Sequence, residues 1–208
     1  MQIFFDFDGT LLDSQPRLYK LFCDMCPENH FSYEEYCNIK RQRVTQAEML
    51  ARYFQYPEAK ITEFHRQWLA EVENPLRMQE DQPYDGIDDL LHDLSSRHEL
   101  YIITNRQSKV KTMAQIEQQH WENLLQDVLV TEQKSSKIEL AKTVLQDSAR
   151  ALWVGDTGED MKAAHALNIP VIAVSWGVIA PELLADYKPD ALAADVVELR
   201  ECMKKFLR

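Results

Sequence analysis

The chain has 208 residues, 45% of them hydrophobic and 27% charged, with a formal net charge of −11. At about 150 residues per domain this is one domain with a large insertion or two small ones, and collagen-like, low-complexity and mostly disordered chains are excluded. The acid excess repels polyanions, so general binding to nucleic acid or to an anionic membrane is not expected.

The first predicted strand is the apolar run Ile3-Phe4-Phe5, which ends at carboxylates. Residues 15–82 carry no strand pattern. There Thr45-x-x-Glu48 is a capping box ahead of Met49 and Leu50, and Phe64, Trp68, Leu69 and Val72 share a helical face. From residue 83 the pattern alternates. Ile87, Leu90, Leu91 and Leu94 predict a helix over 87–94, and 99–104 reads as a strand. Helix over 108–125, strand over 127–131, helix over 136–147, strand over 151–156, helix over 158–167 and strand over 169–177 follow. Strands alternating with helices predict an α/β fold, a parallel sheet flanked by helices. Residues 1–14 and 83–208 form that core, and residues 15–82 are an inserted all-helical unit.

Compartment follows from what the chain lacks. No apolar run approaches the roughly 18 residues that span a bilayer. The N-terminus is charged by its sixth residue, unlike a signal peptide. The four cysteines, Cys23, Cys26, Cys37 and Cys202, are expected to be reduced in a cytoplasmic protein. Cys23, Cys26, His30 and Cys37 also make a string with zinc-like spacing. The preferred reading is that Leu18, Leu21, Phe22, Cys26 and their neighbours form one helix whose small apolar thiols pack inside the helical insertion.

The chemistry lies at the carboxyl ends of the predicted strands, where ligands bind in parallel α/β sheets. Asp6-Phe7-Asp8-Gly9-Thr10 follows the first strand, and Gly9 permits a turn there. Thr104-Asn105 ends another strand. Lys137 opens a helix, with Lys134 close by as the alternative. Gly155-Asp156-Thr157-Gly158-Glu159-Asp160 ends a third strand. Four carboxylates converging on one edge repel one another and call for a cation. All-oxygen ligands select a hard ion, Mg²⁺. A lysine, a hydroxyl and an amide would then contact a transferring phosphoryl group. One carboxylate can attack phosphorus, and a second can protonate the leaving oxygen.

These four motifs resemble those of the haloacid dehalogenase superfamily of phosphatases. DGTLLDS (8–14), PYDGIDDLL (83–91) and VSWG (174–177) resemble the phosphoglycolate phosphatase and β-phosphoglucomutase branch, which carries a helical cap after the first motif. The resemblance implies a Rossmann-like core and a Mg²⁺-dependent phosphatase that forms an aspartyl phosphate. It implies Asp6 as nucleophile, Asp8 as general acid and base, and Lys137 as the neutralising lysine. Gly9, Thr10, Thr104, Asn105 and Arg106 would surround the phosphate. Asp6, Asp156, Asp160 and the backbone carbonyl of Asp8 would hold the metal. Asp8 argues against dehalogenation, since dehalogenases of the superfamily lack the second aspartate. Gln46 stands where the mutases carry a phosphate-gripping arginine, which argues against a phosphomutase. Lys40, Arg41 and Arg43 are the one dense basic cluster. Arg43 is expected to meet a second anionic group on a small phosphorylated metabolite. A phosphoacceptor switch and a non-catalytic binding scaffold on the same fold are the alternatives from other classes. A monomer or a homodimer is expected.

Overall fold

A computed structural model describes residues 1–207. In chain order its elements are β1 (Gln2–Phe5), β2 (Leu12–Asp13), α1 (Gln15–Met25), α2 (Tyr33–Arg41), α3 (Gln46–Phe54), α4 (Glu58–Glu71), α5 (Pro75–Met78) and β3 (Gln82–Pro83). There follow α6 (Ile87–Ser95), β4 (Glu99–Thr104), α7 (Lys109–Gln118), β5 (Asp127–Val130), α8 (Lys137–Val144) and β6 (Ala151–Gly155). The last are α9 (Gly158–Ala166), β7 (Val171–Val174), α10 (Pro181–Ala185), β8 (Ala191–Ala193) and α11 (Val196–Met203). The chain divides into two compact units, Met1–Asp13 with the chain from Gln82 onward, and Ser14–Asp81.

The first unit is built on a six-stranded sheet in the order β5-β4-β1-β6-β7-β8, with every pair parallel. Successive strand residues point to opposite faces, and here both faces are apolar. Ile3 and Phe5, Leu100 and Ile102, Leu152 and Val154, and Ile172 and Val174 pack on one side with Leu90 and Leu94 of α6, Ile116 of α7 and Leu199 of α11. Phe4, Tyr101, Trp153 and Val171 pack on the other with Ala141 of α8, Met161 and Ala164 of α9, and Leu184 of α10. Two cores on two faces make this a three-layer helix–sheet–helix unit. Each fully buried Leu, Ile or Val contributes about 1.5–3 kcal/mol. The chain leaves it at β2 and returns at β3, which pair antiparallel through Leu12 with Pro83 and Asp13 with Gln82.

The second unit is all helical. Two of its helices start with reciprocal capping boxes, Ser32 with Glu35 at α2 and Thr45 with Glu48 at α3. Phe22, Cys26, Tyr36, Met49, Leu50, Tyr56 and Phe64 form its core. A buried ion pair ties its first helix to its last residue: Arg17 Nε donates to Asp81 Oδ1 at 2.7 Å. Cys23, Cys26, His30 and Cys37 are not gathered into a metal-binding group among the described residues. Cys26 lies instead in the apolar core, and Cys23 Sγ accepts from Asn29 Nδ2 at 3.2 Å.

Several predicted boundaries move, each for a local reason. The helix expected to reach 125 ends at Gln118, because His120 takes a left-handed φ of 60° and Trp121 turns back to donate to the Ile116 carbonyl. The strand expected over 169–177 is confined to Val171–Val174, preceded by Asn168 at φ 54°. The helix expected to reach 147 stops at Val144, where Leu145 becomes extended. The sequence reading missed β2 and β3, and it missed α10, β8 and α11. Among the described residues no helix is long and apolar enough to cross a membrane.

Candidate active site

Strand order sets the place of the site. From β1 the chain moves to β4 and β5 on one side, then crosses to β6 on the other. That reversal opens a crevice at the carboxyl ends of β1 and β6, the usual ligand position in such sheets. Asp6 follows β1 directly, and its N–H still donates to the Val154 carbonyl at 2.9 Å. The chain then turns at Gly9, which has φ 83°. A Cβ on Gly9 would stand 2.5 Å from Asp156 Oδ2, and one on Gly177 would run into the same carboxylate. The two glycines therefore make room for Asp156.

Asp6, Asp156 and Asp160 are all buried, and each offers an oxygen within 4.8 Å of the others. Lys137, the first residue of α8, reaches in from β5's side. Its Nζ donates to Asp6 Oδ1 and Asp160 Oδ1, both at 2.7 Å. Ser136 caps α8 by a capping box with Glu139, which fixes where the lysine starts. Asp160 is held on every side. Oδ1 also accepts from Trp153 Nε1 at 3.3 Å, and Oδ2 accepts from Thr157 Oγ1 at 2.6 Å and Thr157 N at 3.2 Å. Asp156 accepts from the Val178 N–H at 2.7 Å and from Thr10 Oγ1 at 3.3 Å.

Three buried carboxylates face one ammonium, so negative charge is in surplus. Burial, and then the Asp160 charge, push the Asp6 carboxyl well above the usual carboxylate range, against the pull of Lys137. The same two causes raise Asp156 to about 6. Burial alone would lower the Lys137 ammonium, but Asp160 and Asp6 outweigh it and hold the pKa above the ordinary lysine value. A protein carrying this surplus in a buried, all-oxygen cluster fits a hard divalent cation, which would neutralise it.

The other predicted residues fall around this cluster in different ways. Thr104 is buried at the end of β4. Asn105 Nδ2 donates to Glu159 Oε2 at 2.8 Å, a partner the motif spacing does not reveal. Asp8 is not part of the carboxylate trio; its side chain is paired with Arg106 through Nε to Oδ2 and Nη2 to Oδ1, both at 2.7 Å. Arg106 also donates to Gln115 of α7, a buried residue to which no motif in the sequence points. Lys134 is exposed and pairs with Glu132, so Lys137 is the lysine brought to the aspartates. Arg43 belongs to the second unit, after α2, at φ 62°.

A parallel α/β core with acidic strand-end residues and a buried lysine defines a Rossmann-like enzyme centre. The sequence matches the family described as haloacid dehalogenase-like hydrolase over residues 3–174, and the chain belongs to that family. It is 25% identical to a phosphoglycolate phosphatase of Synechococcus elongatus, over 99% of this chain and 98% of that protein. Its fold is similar to a haloacid dehalogenase-like hydrolase from Streptococcus pneumoniae, with TM-score 0.76, 24% identity and 97% of each chain covered. A haloacid dehalogenase-superfamily hydrolase from Geobacter sulfurreducens superposes with TM-score 0.72 at 20% identity, over 97% of this chain and 95% of that one.

Proposed function

We propose that this protein is a Mg²⁺-dependent phosphatase, similar to phosphoglycolate phosphatase, that hydrolyses a small phosphate monoester in the cytoplasm. The observation that carries the reading is Asp6, a buried carboxylate bonded to Lys137 and clustered with Asp156 and Asp160. Family membership and the phosphoglycolate phosphatase relative support the reaction class.

Asp6, Asp156, Asp160 and the Asp8 carbonyl would hold Mg²⁺, which when bound neutralises the carboxylates and the phosphate oxygens. The chain's own residues do the rest. Thr104 and Asn105 bind the phosphoryl oxygens, and Lys137 compensates their charge with that of Asp6. An oxygen of Asp6 attacks phosphorus while the bond to the leaving oxygen breaks, and Asp8 gives that oxygen its proton. Water then attacks phosphorus and gives a proton to Asp8. The bond to Asp6 breaks, releasing phosphate and restoring the Asp6 carboxylate. Arg43 would meet a second anionic group of the substrate.

Phosphate release should be measured across phosphoglycolate, sugar phosphates, nucleotides and pyrophosphate, with Mg²⁺ and with chelator. Many turnovers on at least one monoester, lost with chelator and in Asp6→Asn, are expected. Full activity of a clean Asp6→Asn preparation would refute the nucleophile. An Arg43→Ala variant should raise KM for the true substrate far more than for an aryl phosphate; equal changes would remove Arg43 from the site.

A further inference from the structure

Asp8 and Arg106 form an ion pair whose two ends are unequally anchored. The Arg106 side chain is 4% exposed and the Asp8 side chain 30%. The guanidinium lies over the Phe7 ring at 4.5 Å and donates a third hydrogen bond to Gln115 Oε1. Gln115 is itself 3% exposed, on the face of α7 that buries Ile116. A buried amide costs stability unless it is bonded, so Gln115 is explained by the arginine it holds. The chain of contacts runs from helix to arginine to aspartate, and exposure rises from the arginine to the aspartate.

A carboxylate has about four lone-pair sites, two on each oxygen. The Arg106 fork takes one on each oxygen, at 2.7 Å in both cases. A proton exchanged at Asp8 must therefore come and go on a side that the guanidinium does not occupy. Arginine stays protonated in proteins, so it directs this proton without taking it. We propose that Arg106, held by Gln115, is a positioning residue that fixes the direction from which Asp8 gives and takes its proton. The proposal rests on the phosphatase reading, with Asp8 as acid and base. It gives Arg106 a task other than the phosphate contact expected from sequence.

Leaving-group dependence tests it. An alkyl phosphate loses a poor leaving group that needs the proton; 2,4-dinitrophenyl phosphate loses one that does not. The quantity kcat/KM covers only the steps through the first irreversible one, so slow release of phosphate from Asp6 does not mask the comparison. Arg106→Met should lower kcat/KM for the best alkyl phosphate by about 100-fold or more, and for the dinitrophenyl ester by less than about 5-fold. Arg106→Lys, which keeps the charge but not the two-pronged fork, should recover part of the alkyl activity. Gln115→Leu should show the same selectivity more weakly, and it carries the comparison if Arg106→Met does not fold. Added to Asp8→Asn, Arg106→Met should change nothing further, because both act through one group.

Equal losses on both esters would overturn the proposal. So would a raised KM with kcat unchanged, which would mark a direct substrate contact, or an added loss on the Asp8→Asn background. A wild-type protein that turns over neither ester would instead overturn the phosphatase reading, and the inference with it. An active wild type whose Arg106 variants lack the selectivity overturns the inference alone.

Discussion

At the residue scale, Lys137 and Asp156 decide how the cluster responds to its surroundings. Lys137 is the ammonium bonded to both Asp6 and Asp160. Removing one partner from a buried ion pair leaves charge uncompensated, at a cost of about 3–5 kcal/mol. Lys137→Met should lose about that much stability in chelator at neutral pH, and millimolar Mg²⁺ should restore part of it. Denaturant unfolding with and without the ion measures both. A variant as stable as wild type in chelator would mean that Asp6 and Asp160 do not need the lysine. Asp156, raised to about 6 by burial and then by Asp160, carries a pH prediction. Its folded pKa lies above its unfolded one, so the folded state holds the proton more tightly. Stability is therefore lost as pH rises from about 4 through 6, and a cation replaces what the proton gave. The rise in Tm on adding Mg²⁺ should be larger at pH 7.5 than at pH 5. A rise independent of pH would contradict this electrostatic account.

At the element scale, each reactive group stands at the start or end of a regular segment. Asp6 directly follows β1, Thr104 ends β4, Lys137 opens α8, and Asp156 and Asp160 flank the start of α9. This is why the cluster was legible in sequence. Apolar runs such as Tyr101-Ile-Ile-Thr104 stop abruptly at polar residues, and the stop marks the strand end. The Asp8–Arg106–Gln115 chain was not legible. Its members are fixed by how α7 packs on the sheet, and a glutamine at a buried helix position looks like one on a surface. The contact of Asn105 with Glu159 is hidden as well, because it joins the end of β4 to the first turn of α9, which only the folded sheet brings together. β8 was missed because Ala191-Leu192-Ala193 is short, with Leu192 exposed at the sheet edge. In the second unit, Arg17 and Asp81 are buried at 4% and 0% exposure. Arg17→Met should destabilise that unit by about 3–5 kcal/mol, and adding Asp81→Leu should recover most of it. Unfolding followed by limited proteolysis of the second unit checks both; no recovery in the double variant would mean the pair is not a closed local interaction.

At the scale of the whole molecule, the alternation of strand and helix predicted the parallel sheet, and the break in that alternation predicted an all-helical insertion. The acid excess divides unevenly, with most of it in the unit that carries the aspartate cluster. An acidic chain repels long polyanions, while a divalent ion within the cluster would admit a single phosphate. In the proposed phosphatase, Asp6 carries the phosphoryl group during turnover. Its most direct test is to quench the wild-type enzyme during steady-state hydrolysis and reduce it with borohydride, which converts an aspartyl phosphate to homoserine. Peptide mass analysis should find homoserine at position 6, dependent on Mg²⁺ and on substrate. Turnover with no such product, or with the product at another aspartate, would contradict the account.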